Sequence, residues 1–401
     1  MARKKTSEVE FIALMAFLMA NVAIAIDAVL PALFKVGESL NNANSTDLQL
    51  VITMIFLGLG FGQLIFGTLS DSLGRKPVVY LGVATFMLAS FICIYAQSLE
   101  MMLLGRLLQG VGLSAPRTIS IAIIRDSYSG DYMARIMSFV TVIFILVPMV
   151  APLLGQLVIL YYDWQMIFHF HLMFSALILI WFILRQPETL KLENKTVITR
   201  RLFINGVTEF FKYKQSVIYT IISGLITGSF MVYLSASKQI FQEQFQVTDN
   251  FVYIFAGLAL LIGIATFLNG SLVVRLGMKR LSTISLYIFA GIAVVYSVVF
   301  FTTDNPSLPV LLIFMSLQFA CLGFIFGNVR SLAMQPVGHI AGVGSAINGF
   351  VSTIMAVPIA IFIGSFIDKT VLPMFIGFAC SGLLTFLLLV YLSKKNSLEG
   401  E

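Results

Sequence analysis

The sequence predicts an all-α integral membrane protein with twelve transmembrane helices in two six-helix pseudo-repeats, and three observations carry that reading. Apolar residues make up 59% of the chain and charged residues only 11%, with 36 Phe, far from the balance of soluble domains. The apolar residues fall into twelve runs, each long enough for the roughly 20 helical residues that cross a bilayer. Finally, Gly67-Thr-Leu-Ser-Asp71-Ser-Leu-Gly74-Arg75-Lys76 is echoed about half a chain later by Gly270-Ser-Leu-Val-Val-Arg-Leu-Gly277-Met-Lys279-Arg280. Both copies have the same glycine interval and a basic pair near the end, but Val274 stands where the first copy has Asp71.

In chain order the first six spans are expected at Phe11–Phe34, Leu48–Phe66, Val78–Ala96, Met101–Ile124, Ile136–Leu160 and Gln165–Leu184. The second six are expected at Ser216–Ser237, Phe251–Val273, Leu281–Phe301, Leu308–Ala333, Val343–Ile367 and Leu372–Leu392. The first run follows Arg3, Lys4 and Lys5 and is too long for a cleaved signal peptide. These runs divide the chain into a first bundle over 1–184, a connector over 185–215 and a second bundle over 216–396. Residues 397–401 read as the remnant of an added tail. In the connector, Leu202, Phe203, Phe210 and Phe211 alternate with charges between Thr199 and Lys214, a pattern for an amphipathic helix on the inner membrane surface, with a disordered linker as the other reading.

The cations report topology. Lys and Arg gather in alternate inter-span segments, including Arg75, Lys76, Arg125, Arg185, Arg200, Arg201, Lys279 and Arg280, whereas the opposite segments hold only Lys35, Lys238 and Lys369. By the positive-inside rule both termini are expected in the cytoplasm. The net charge of +6 forms no continuous basic face, so no nucleic acid is expected as a partner. Cys93, Cys321 and Cys380 lie in apolar runs without framework spacing, so neither a disulfide nor a metal site is expected.

Few residues have chemistry to offer inside the spans. Asp27, four residues before Pro31, is the one acid in mid-span. A carboxylate there costs about 2.5–3.5 kcal/mol on insertion scales, so it needs a partner, a proton or a wet cavity. Arg106 opens the fourth span at a similar expected depth, where the two could pair or communicate through a relay. Arg117 lies about three turns further along the same face and reads as a cavity cation suited to anionic or zwitterionic substrates. Arg330 sits nearer the inner end of span ten. Gln63, Tyr233, Gln318 and Asn348 are available, with Asp27 and Arg117, to line a substrate cavity, and each can instead serve as a helix-packing hydrogen bond. His169 and His171 are two apart, so they face different ways and make no joint metal site. Pro148, Pro152 and Gly155 should bend and closely pack span five. Gly67, Asp71, Gly74, Arg75 and Lys76 read as a cytoplasmic loop in which Asp71 can cap a helix or pair with a cation, a latch that opens when helices move. No Gly-x-x-x-x-Gly-Lys-[Ser/Thr] loop occurs, so ATP is not the energy source.

The G-x-x-x-D-x-x-G-R-K spacing from Gly67 to Lys76 resembles the signature between the second and third spans of major facilitator superfamily transporters. Arg106-Leu-Leu-Gln109-Gly110-Val-Gly112 is similar to the fourth-span motif that the proton-coupled members carry. Pro148 to Gln156 resembles the antiporter signature of span five, with Ala151 and Gln156 replacing its leading and final glycines. With Tyr233-Leu-Ser-Ala-Ser237, Gln186-Pro187-Glu188-Thr189, Gly327-Asn328 and Ala341-Gly-Val-Gly-Ser-Ala346, the likeness extends over nearly the whole chain to the Bcr/CflA branch of drug:proton antiporters. Gln165 departs from that branch, which has an arginine after Asp163-Trp164, and Arg117 is an additional intramembrane cation. The resemblance implies the twelve-span major facilitator fold. It further implies proton-driven export of drugs or small amphipathic metabolites across a bacterial inner membrane by alternating access. No cofactor is implied; the proton gradient supplies the energy, Asp27 and Arg106 couple it, and the protein is a monomer among membrane lipids. Three other readings stay open at this stage: export of one anionic metabolite or siderophore anchored by Arg117, proton symport into the cell, and a membrane enzyme or sensor, which no nucleophile–base pair or effector domain supports.

Overall fold

The computed structural model describes residues 7–41, 44–128, 130–190, 193, 195, 200–247, 250–302 and 304–398. The basic residues Arg3, Lys4 and Lys5 and residues 399–401 lie outside them. Among the described residues the regular structure is entirely helical. The first part comprises α1 (Glu8–Asp27), α2 (Leu33–Ser39), α3 (Ser45–Leu73), α4 (Arg75–Ile94), α5 (Leu99–Ser127), α6 (Gly130–Tyr161) and α7 (Gln165–Arg185). There follow α8 (Arg200–Lys212), α9 (Lys214–Lys238), α10 (Phe251–Leu276), α11 (Met278–Val299), α12 (Leu308–Met334), α13 (Ala341–Gly364) and α14 (Leu372–Leu398). Among the described residues eleven segments are long and apolar enough to cross a membrane, and α6 adds the shorter apolar stretch Leu146–Tyr161.

The chain forms two compact units, Met1–Leu202 and Phe203–Glu401, and the repeat seen in the sequence recurs in their packing. In the first unit α5 packs on α3 and α4, α1 packs on α5, α6 and α7, and α4 packs on α7. In the second, α12 packs on α10 and α11, α9 packs on α12, α13 and α14, and α11 packs on α14. Each pairing in one unit has its counterpart in the other. The closest approach in the first unit is between α3 and α5, where a Cβ on Gly110 would run into the Ile55 carbonyl and one on Gly58 into the Leu107 carbonyl. Without side chains at those crossings the two backbones meet directly, the usual device for helices that apolar contact alone does not drive together.

Three expectations need correction. The stretch from Gly67 to Lys76 is not a loop: α3 remains helical through Leu73 and α4 begins at Arg75, leaving Gly74 as the only break. Gly74 adopts φ +112° and Gly277 plays the same part between α10 and α11 at φ +78°, backbone that glycine enters without steric cost. Secondly, the first span is broken and longer than Phe11–Phe34. Helix α1 stops at Asp27, a short 3₁₀ turn spans Leu30–Ala32, and α2 continues to Ser39. Pro31 explains the stop, because it has no N–H to offer the Asp27 carbonyl one helical turn back. Asp27 therefore sits further from the end of its span than the sequence suggested. Thirdly, α8 does not present its apolar side to a membrane surface alone: Phe210 is buried with Val337 and Ile347, and Val207 and Val343 pack against them. Ile204 and Phe211 are exposed.

Replacing Gly110 by alanine forces backbones in contact to separate, and overpacking of this kind costs roughly 1–3 kcal/mol. A clear drop in the thermal midpoint of the detergent-solubilised G110A variant is expected, measured by fluorescence-detected size exclusion.

Candidate functional site

The first unit has a polar interior organised on Arg106. This side chain is fully buried and is held by three hydrogen bonds: Nε donates to the Val51 carbonyl at 2.9 Å, and Nη1 donates to the Ala25 carbonyl at 2.9 Å and to Gln109 Oε1 at 2.8 Å. It thus ties α5 to α1 and α3. From Gln109 the chain runs onward, Nε2 donating to Ser90 Oγ and that hydroxyl to the Phe86 carbonyl, each at 2.8 Å. Among the described residues the Nη2 nitrogen is buried without a partner. Asp27 is buried too, 4% exposed at the end of α1. Its companion helix is pressed close, since a Cβ on Gly155 of α6 would collide with the carbonyl of Ala28.

The sequence left Asp27 and Arg106 either to pair or to communicate through a relay. Among the described residues no hydrogen bond or ion pair joins them; the guanidinium instead bonds the carbonyl two residues before Asp27, near enough for their charges to interact. The reason is local. Where α1 ends, its carbonyls lack some of their helical donors, and the forked guanidinium supplies one. His171, also fully buried, packs between the rings of Phe86 and Phe168, with centroids at 6.2 and 5.7 Å, and faces the Ile24 carbonyl and Arg106. One turn on, Ser175 and Asn21 exchange hydrogen bonds of 2.9 and 3.1 Å between α7 and α1. His169, in contrast, is exposed and bonds the Gln165 carbonyl, so the two histidines do face different ways.

The other predicted group, at the Gly74 turn, is a network wider than the motif. Arg75, although charged, is buried. Its Nη1 meets Asp71 at 2.5 Å and Ser70 Oγ at 2.8 Å, and its Nε meets Asp126 of α5 at 2.9 Å. The start of α4 is capped from a distance: Glu188, after α7, accepts the N–H groups of Arg75 and Lys76 at 2.9 and 3.0 Å. It also accepts those of Thr189 and Leu190, while Thr189 Oγ1 donates to Asp126. Burial pushes the Glu188 carboxyl up, but these four amides outweigh it and hold the group below the usual glutamate range. Asp71 therefore pairs with a cation and Glu188 does the capping. Near this end Glu10 takes Arg185 in a two-pronged pair and the Trp181 indole N–H.

The remaining candidates are dispersed. In the first unit Gln63 and Arg117 are half-buried, and Gly67 lies inside α3. Pro148 and Pro152 lie inside α6. In the second unit Gln318 donates to the Phe289 carbonyl at 3.1 Å, and Asn348 donates to Thr220 Oγ1 at 2.8 Å. Tyr233 is buried among Phe230, Phe255 and Phe319. Arg330 is exposed. The residues the sequence reading missed are Ser90, Asp126, Glu188, Asn21 and Ser175. Gln109 and Glu188 stood within quoted motifs, whereas Asp126 had only its place just past an apolar run as a signal.

A family model described as the Major Facilitator Superfamily matches residues 11–360. Among proteins of known name, the chain is 28% identical over 264 residues to a bicyclomycin resistance protein homolog of Haemophilus influenzae, covering 65% of this chain and 66% of that one. It is 25% identical over 380 residues to the multidrug resistance protein MdtL of Salmonella typhimurium, covering 94% and 93%. The xylose transporter XylE of E. coli, in a partially occluded inward-open state, superposes with a TM-score of 0.72 over 95% of this chain and 96% of that one. At 14% identity that likeness is one of fold.

Two measurements test the Gly74 network. A group held below its ordinary value stabilises the fold above about pH 4.3 and loses that contribution as pH falls through its lowered pKa. At pH 7 the Glu188→Gln variant should be less stable by about 0.5–2 kcal/mol, the range for a lost helix cap, and the gap to the native protein should close below pH 4. Gly74→Ala should destabilise more than Gly277→Ala. Both strain a positive φ, but only at Gly74 does the added Cβ meet Glu188 Oε2, at 2.8 Å, while at Gly277 it meets nothing within 4 Å.

Proposed function

The chain belongs to the major facilitator superfamily, and we propose that it is a proton-coupled antiporter of the Bcr/CflA type, exporting drugs or small amphipathic metabolites across a bacterial inner membrane. Membership makes it a multi-pass transporter of small molecules, not an enzyme. The observation that carries the finer reading is the buried Asp27, the one carboxylate away from the span ends, placed at a broken helix beside an arginine whose partners are all uncharged. The relatives named for bicyclomycin and multidrug resistance support the substrate class.

In this reading both termini face the cytoplasm, because the basic side chains collect at the helix ends that carry Gly74 and Gly277. Asp27 takes up a proton from outside and releases it inside. Its change of charge alters its attraction to Arg106 and so biases alternating access, while the Asp71, Arg75, Asp126 and Glu188 contacts latch one state. One elementary charge crossing a potential of ~100 mV is worth about 2.3 kcal/mol, which sustains roughly a fiftyfold gradient. A single titrating acid is then sufficient. Small-molecule substrate, protons and lipids are the only partners required, and the transporter acts as a monomer.

Uptake of ethidium into inverted proteoliposomes under an imposed pH gradient tests this. The native protein should accumulate dye, and Asp27→Asn should lose the gradient-driven part. Equal transport by the variant would remove Asp27 from coupling. Failure of the folded native protein to move ethidium, with transport of an organic anion lost in Arg117→Gln, would shift the substrate class to an anionic metabolite.

A further inference from the structure

The corner between α12 and α13 is a hinge by its sequence. In Leu332-Ala-Met-Gln335-Pro336-Val337-Gly338, Pro336 has no N–H to offer the Leu332 carbonyl one helical turn back. The chain accordingly leaves α12 at Met334 for a 3₁₀ stretch over Gln335–Ile340, with Val337 at φ −108° and ψ 26°, before α13 starts afresh. Along its length α13 packs mainly on α9 and only slightly on α12 and α14. Its approach to α9 is close, since a Cβ on Gly224 would meet Met355 at 3.0 Å and one on Gly228 would meet Ile359 at 2.9 Å. A helix with one extensive neighbour and a hinge at its start can swing at that end unless something else restrains it.

The connector and the start of α9 supply the restraint. Gln215, the second residue of α9, donates from Nε2 to the Leu332 carbonyl at 3.2 Å and to Gln335 Oε1 at 3.4 Å, replacing the donor that Pro336 lacks. Gly206, Val207 and Phe210 share one face of α8 and close over the hinge. Phe210 is buried against Val337, itself fully buried, and against Ile347 of α13. Gly206 has no side chain where Val343 arrives; a Cβ there would lie 2.9 Å from Val343 Cγ1. The first unit covers its equivalent corner, between α5 and α6, with the start of α1: Phe11 meets the Tyr128 ring edge-on at 5.2 Å, and the Tyr132 hydroxyl bonds Glu8. In both units the chain entering the first long helix lies on this corner, and in the second that segment is a helix of its own.

We propose that α8 is a clip on this hinge. While Phe210 sits against Val337 the start of α13 is held, and α13 swings at that end only when α8 lifts away, so that release of α8 is a step of the transport cycle. The inference rests on membership of the transporter family and does not depend on Asp27, the driving ion or the substrate.

Hydrogen exchange followed by mass spectrometry on the full chain in detergent reads the hinge directly, in a Cys380→Ser background because that thiol is exposed. Phe210→Ala should speed exchange of the 335–347 amides by about a hundredfold, the effect of losing one buried phenylalanine. Ile204→Ala, on the exposed side of α8, should leave them unchanged. Gly206→Cys/Val343→Cys joins the two elements at positions whose Cβ atoms would lie 3.3 Å apart, close to the separation found in disulfides. Oxidised, this variant should slow the same amides by about tenfold or more, and reduction should restore them. In proteoliposomes the oxidised form should stop moving ethidium and regain transport on reduction, with each single-cysteine variant indifferent to oxidant. Faster exchange confined to α8 itself in Phe210→Ala, or full transport by the cross-linked protein, overturns the proposal. If the native protein carries no ethidium, the drug-export reading fails and the exchange data decide on the clip.

Discussion

The fork that Arg106 drives between Ala25 and Val51 is the contact on which the first unit depends. A fully buried guanidinium is costly unless its donors find acceptors, and here Nε and Nη1 find them on main-chain carbonyls of two other helices and on Gln109, leaving only Nη2 without one among the described residues. Each acceptor presupposes another feature. The Ala25 carbonyl lies in the last turn of α1, which stops at Asp27 because Pro31 brings no amide. The Val51 carbonyl is within reach because α3 and α5 meet at Gly58 and Gly110 without intervening side chains. A proline, two glycines and one arginine, far apart in the chain, are thus parts of a single arrangement. An arginine is needed for it, since a lysine ammonium lacks the planar fork that serves two helices at once.

The two units share a packing plan and differ in charge. At the Gly74 turn the first unit closes its basic residues with acids from three elements, so the end of the bundle is held by internal ion pairs and a remote helix cap. At the Gly277 turn the second unit keeps the glycine and the cations, while Val274 stands where the first has Asp71 and no ion pair holds Lys279 or Arg280 among the described residues. Duplication preserves what backbone geometry requires, a residue able to adopt positive φ. The charge complement is free to diverge because it acts through side chains alone.

Span number, the repeat and the sparse set of intramembrane charges were legible in the sequence, because apolar run length and glycine spacing are local properties. Three things were not. Polar residues from Gly67 to Leu73 looked like a loop, yet α3 continues through them, since Ser70, Ser72 and Thr68 can return hydrogen bonds to their own helix. Asp27 and Arg106, opposite charges at similar depth, could have met directly or through a relay; which carbonyls a helix end leaves open could be known only from its three-dimensional neighbours. Gln318 and Asn348 carried two readings, cavity lining and helix packing, and each bonds a neighbouring helix as the packing reading had it. Glu188 illustrates the same limit: its motif was visible, while the amides it caps lie more than a hundred residues away.

That no hydrogen bond or ion pair joins Asp27 and Arg106 among the described residues bears on the proposed exchange. An arginine whose main partner is a carboxylate is left with an uncompensated buried charge when that carboxylate takes a proton, which is costly enough to resist protonation. Arg106 is arranged otherwise. Its three hydrogen bonds go to groups that do not titrate, so they survive whichever form Asp27 adopts, and only the longer-range attraction between the two charges changes. That attraction acts without a shared hydrogen bond, so protonation changes it without breaking one, which is what a reversible carrier requires. The coupling energy must be large enough to bias the two access states yet small enough for the proton to leave again on the other side, and a fixed ion pair would meet the first condition while failing the second.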